Sequence, residues 1–135
     1  MIPEADTLLN VSAGKLLLEI APQMPPGYGQ GSSATVAMVL VLAAQEYAKG
    51  ADTRIWENAR MSEILSAAGV GDLAVAASNA IADLNAANAA LRARLIALHE
   101  RTEAESGDTA RAREREILAF LKESADRRRL HLPVI

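Results

Sequence analysis

From Val36 to Ala44 the chain reads Val36, Ala37, Met38, Val39, Leu40, Val41, Leu42, Ala43, Ala44, without one polar side chain. A helix through this stretch has no polar face, so it must be covered on every side by other helices or by a partner chain. The competing form is a buried strand, for which Val36, Val39 and Val41 speak. The continuation of the pattern to about Lys49 and the serines available as caps, Ser32 or Ser33, favour the helix. Counted from Ala34, the nearly unbroken run is 11 residues long, against about 20 needed to span a bilayer.

The rest of the composition agrees with close-packed helices. Alanine fills 28 of 135 positions, and Tyr28, Tyr47, Trp56 and Phe120 are the only aromatic residues. Strands favour β-branched and aromatic side chains, which are scarce outside the apolar run. A chain of this length is expected to form one domain, residues 1–135, with a core that needs no cross-links. The absence of cysteine excludes disulfide scaffolds, thiolate zinc sites and thiol catalysis. With His99 and His131 as the only histidines, no metal site is expected. The net charge of −3 argues against a nucleic-acid partner. Residues 1–70 carry seven acids and four bases, and residues 71–135 ten of each, so neither half presents a strong field of one sign. The start, Met1 to Asp6, lacks the basic residues of a secretion signal. A cytoplasmic protein without membrane contact is therefore expected. Eleven arginines against three lysines, with so much alanine, suggest a GC-rich bacterial genome.

Periodicity and caps predict about five helices. The first runs from Asp6 or Thr7 through Leu9, Ala13, Leu16, Leu17 and Ile20 to Pro22. The second starts at Ser32 or Ser33 and stops at Gly50. Asp52 opens the third, which Gly69 closes as a C-cap. Asp72 opens the fourth and longest, to about Glu105; Asp108 caps the fifth, ending near Arg129. Helices 4 and 5 should pair as a long antiparallel hairpin in a bundle-like, all-α domain. Residues 130–135 alternate around Pro133 and are expected as an extended arm.

Two sets of positions seven apart mark the fourth segment. Ala74, Ile81, Asn88, Leu95 and Thr102 form one, and Ala77, Leu84, Leu91 and Leu98 the other. Together they make a stripe sustained over about four heptads. It serves as the inner face of an intrachain bundle or, in addition, as a subunit interface through Asn88, Leu91, Leu95 and Leu98. Asn88 interrupts the stripe with an amide that needs a partner. That partner is its symmetry mate in a dimer, or a local group such as Asn85. In the fifth segment Arg113–Glu116 and Arg111–Glu114 can pair on a solvated face. Arg127, Arg128 and Arg129 suit the negative end of the helix dipole. Trp56, in Trp56–Glu57–Asn58, reads as a core residue or as an anchor lining a pocket.

The glycine-rich stretch Pro25, Pro26, Gly27, Tyr28, Gly29, Gln30, Gly31, Ser32, Ser33 reads as a loop, because two prolines and three glycines sustain neither helix nor strand. Gly27, Tyr28, Gly29, Gly31, Ser32 and Ser33 are the candidate ligand-binding residues. Glycine lets backbone N–H groups turn inward, and the following helix adds free N–H groups and a positive dipole end, a combination suited to an anion. No lysine follows the glycines as in a P-loop, and no strand pattern precedes them as in a dinucleotide fold. The Pro-Gly-x-Gly-x-Gly-Ser pattern before an apolar helix resembles the helical cyclodeaminase family of folate metabolism, over this loop and the neighbouring helix starts only. That resemblance implies a folate-like ligand.

No residue stands out as catalytic. His99 has Glu103 one turn on and Glu100 beside it, but no HExxH or ExxH spacing accompanies it. The first functional expectation is a non-enzymatic helical interaction or assembly protein acting as a homo-oligomer, most simply a dimer, with no cofactor. The second is a small-molecule binder or enzyme that holds a folate-like or nucleotide-like anion at Gly27–Ser33.

Overall fold

A computed structural model describes residues 3–133. The described residues hold four α-helices and no strand: α1 (Ala5–Gly14), α2 (Tyr28–Ala67), α3 (Ile81–Ala104) and α4 (Asp108–Arg128). After α1 the helical path widens to a π-helical stretch, Lys15–Ile20, where Ala21 donates to the Leu16 carbonyl five residues back, and tightens to a 3-10 turn, Ala21–Gln23. Pro22 sits at the start of that turn, where its missing N–H costs no bond.

This architecture corrects the expected five helices with a hairpin of helices 4 and 5. The second and third segments are one 40-residue helix, and the hairpin is formed by α3 and α4. Gly50 does not stop the helix because it is not among the residues with positive φ, and a C-terminal glycine ends a helix by adopting that conformation. Asp52, expected as a cap, lies inside the same helix. Gly69 does end it: at φ 77° it lets its own N–H reach the Ser66 carbonyl and that of Val70 the Leu65 carbonyl. The fourth segment starts later than expected. Residues 69–80 are irregular, Asp72 adopts φ 53°, and α3 begins only at Ile81.

The chain divides into two compact units. One comprises the chain up to Gly50 and the segment from Leu130 on, the other Ala51–Arg129. In the first unit Ala13, Ala21, Ala37 and Ala44 are buried, and side chains this small let helical backbones approach closely. The Gln30 amide donates to the Ala21 carbonyl. The tail joins this unit: Gln45 accepts from the His131 N–H and donates to the His131 carbonyl, so one side chain holds both backbone groups of the arm. Residues 130–133 are non-helical; the end of the expected arm, 134–135, lies outside the described residues.

In the second unit, Met61, Ile64, Leu65, Leu91, Leu95, Leu98, Ile117 and Phe120 form the core, contributed by α2, α3 and α4. Trp56 stacks on Phe120 with ring centroids 5.7 Å apart. No helix among the described residues is long and apolar enough to cross a membrane.

Candidate functional site

The glycine stretch is less of a loop than its composition implies. Helix α2 already starts at Tyr28, so Gly29, Gln30, Gly31, Ser32 and Ser33 occupy its first two turns, and the serines do not cap it. What turns the chain is Gly27, at φ 146°, a value that L side chains rarely adopt. Its carbonyl accepts the N–H of Gly31, the first closed turn of the helix. The N–H groups of Tyr28, Gly29 and Gln30 precede any intrahelical acceptor and point out of the helix start, where the dipole is positive. Two hydroxyls are committed elsewhere. Ser33 donates to the Gly29 carbonyl at 3.0 Å and touches the Met24 sulfur, and Thr35 donates to the Gly31 carbonyl at 3.0 Å. Beside these turns Tyr28, Gly31, Ser32, Thr35 and Val36 line an open concavity of about 410 Å³. A Cβ added at Gly31 would meet nothing within 4 Å, so the protein itself leaves this backbone bare.

The second unit has a different centre. Glu57 has no exposed surface, yet it is charged. Its Oε1 accepts from Arg128 Nε at 2.6 Å, Ser124 Oγ at 2.6 Å and Arg92 Nη2 at 3.0 Å. Its Oε2 accepts from Arg128 Nη2 at 2.6 Å and Asn88 Nδ2 at 2.9 Å. Burial pushes the Glu57 carboxyl up, but the paired bonds from Arg128, the Ser124 hydroxyl and the charges of Arg128 and Arg92 outweigh it and hold the group down at about 2. A carboxylate this acidic, with both oxygens engaged, is a poor proton acceptor near neutrality. It organises the unit instead. Sequence reasoning did not single out Glu57, Arg92, Ser124 or Arg128 as one group. The only local signals were the i,i+4 spacings Asn88–Arg92 and Ser124–Arg128, which place polar pairs on inward helix faces.

The four residues expected at a subunit interface are occupied within the chain. Asn88, Leu91, Leu95 and Leu98 are all at least nine-tenths buried. The Asn88 amide donates to Glu57 and to Asn58, and its oxygen accepts from Arg92. Trp56 packs in the core unit, with the Arg127 guanidinium 4.1 Å over its ring. The arginine cluster is likewise engaged: Arg127 bonds Glu123, Arg128 bonds Glu57 and Arg129 bonds Asp126. Asn58 borders a separate concavity of about 290 Å³ with Ile55, Ser62, Ala74, Val75 and Asn79.

Residues 5–79, over half of the chain, match the family described as GHMP kinases N terminal domain. The chain belongs to that family. The matched stretch contains the whole glycine segment and all of α2, and ends just before α3. No curated protein and no solved structure matches the chain. Membership of the GHMP kinase family, a family of enzymes, overturns the expectation of a non-enzymatic assembly protein. It also replaces the folate-enzyme resemblance of the loop: Pro-Gly-x-Gly-x-Gly-Ser is a short pattern, whereas the kinase family match spans 5–79.

Proposed function

We propose that this chain holds the phosphate groups of a nucleoside triphosphate at the start of α2, as part of a kinase. The carrying observation is that the family match covers the glycine-bearing start of α2, Gly27 to Ser33, where Gly31 leaves the backbone bare. Phosphoryl transfer asks a protein mainly for positioning and for stabilisation of charge on the phosphoryl oxygens. A helix N-terminus supplies both through N–H donors and dipole, even where no lysine follows the glycines. Ser32, lining the concavity, adds a hydroxyl. The compartment that suits such a nucleotide-dependent reaction is the cytoplasm.

Gly31→Ala tests this reading. Within the free protein the added methyl meets nothing, and alanine is the better helix former by about 1 kcal/mol. Thermal stability should therefore hold or rise. Affinity for a fluorescent ATP analogue should fall at least about tenfold, about 1.4 kcal/mol, because the methyl occupies the approach to the backbone. A wild-type chain that binds no nucleotide, or a variant that binds it as well, would overturn the proposal.

We further propose that a second copy covers the first half of α2. Val36 and Val39, from its all-apolar stretch, stay 48% and 57% exposed, as are Leu8 and Val11 of α1 in good part.

A further inference from the structure

Outside the kinase-matched stretch, the α3–α4 hairpin brings three ligand-type side chains to one point. His99 and Glu103 lie one turn apart on α3 and Glu114 comes from α4, with one donor atom of each within 4.8 Å of the others. His99 Nε2 is wholly buried and has no hydrogen-bond partner. Its separation from the nearer Glu103 oxygen is 3.7 Å, too long for a hydrogen bond. A buried ring nitrogen without a partner is costly, and native structures rarely leave one so unless something completes it. Glu114 is left available by its neighbours. Arg111 turns to Asp108 at 2.6 Å and Arg113 to Glu105 at 3.1 Å, so the Arg111–Glu114 pair open to the sequence is not made.

We propose that His99, Glu103 and Glu114 bind a divalent transition-metal cation, with zinc the best match. One imidazole and two carboxylates are a ligand set that suits zinc, and three protein ligands leave a fourth position for water. Donors around a tetrahedral zinc stand about 3.4 Å apart, given bonds of about 2.0–2.1 Å. With the three donors within 4.8 Å of one another, the cluster exceeds a closed site by at most about 1.4 Å, within reach of rotamer changes in two glutamates. The ion joins a histidine of α3 to a carboxylate of α4 and so clips the hairpin together. It also gives the orphaned nitrogen its partner.

Calorimetric titration of the full chain with zinc chloride at neutral pH reads this directly. One ion should bind per chain with micromolar affinity and raise the melting temperature. His99→Ala and Glu114→Gln should each weaken binding at least about tenfold, as loss of a ligand does at least as much as loss of its supporting partners. His131→Ala, at the other histidine, should leave binding unchanged. Circular dichroism establishes that each variant is folded, and Glu103→Gln, at a largely exposed position, serves if His99→Ala is not. No saturable binding, or equal binding by wild type and by every folded variant of the three ligands, would overturn the site.

Discussion

Glu57 carries a full charge where water does not reach, and its neighbours decide whether that stabilises or destabilises the fold. Removing one side of a buried, hydrogen-bonded ion pair leaves the other uncompensated, at a cost of about 3–5 kcal/mol. Glu57→Gln should therefore lower stability, by less than that figure, because Arg92 and Arg128 are about a third exposed and water screens the charges left behind. The pH dependence follows from the same contacts. The carboxyl sits at about 2 in the fold against an ordinary 4.5, so the unfolded chain takes up the proton more readily. Stability from this group is complete above pH 4.5 and is lost as pH falls from there toward about 2. Urea midpoints at pH 7 and pH 3 should show a large drop for the wild type and a smaller one for Glu57→Gln; equal drops would exclude Glu57 as the source. Asn88 teaches the complementary lesson. Its conspicuous place on an apolar stripe was legible in the sequence, but its partner was not. The partner, Glu57, is 31 positions away on another helix.

At the scale of elements, glycine and aspartate were weighted as punctuation, and tertiary context read them otherwise. A glycine ends a helix when it takes positive φ and the chain turns back on itself; Gly69 does this, and Gly50 does not. Gly50→Ala separates one continuous helix from two. In a helix interior alanine should stabilise by up to about 1 kcal/mol. A Cβ at Gly50 would meet the end of the Glu46 side chain at 2.8 Å, so that side chain must shift, while the backbone stays clear. A rise in melting temperature is the expected result, and a fall would restore the helix break. The late start of α3 has a similar origin. Asp72 adopts positive φ beyond Gly69, and Leu73 and Ala74 pack against the core as irregular chain rather than as a helical turn. Periodicity records which residues face inward, and an irregular segment can satisfy the same pattern.

For the whole molecule, the proposed self-association is a statement about surface left uncovered. Val36 and Val39 keep about half their surface exposed although they belong to the stretch of α2, Val36 to Ala44, that carries no polar side chain. Light scattering should return a mass above 14.3 kDa at micromolar concentration. Val39→Glu should restore the single-chain mass without loss of helix content, since a charge at an interface core disfavours association. A single-chain mass for the wild type across a hundredfold range of concentration would sink the proposal.

Local physics was enough to determine the helical character of the chain, the C-cap at Gly69 and the inward face of α3. Each rests on propensity, φ preference or a period of three to four residues, properties that neighbours in sequence express by themselves. Tertiary structure alone decided that two segments join as one helix, that Asn88 answers Glu57, and that His99 comes near Glu114. These outcomes depend on which side chains lie opposite across helices, and the free energy of a buried charge or an unpartnered nitrogen is set by those distant groups.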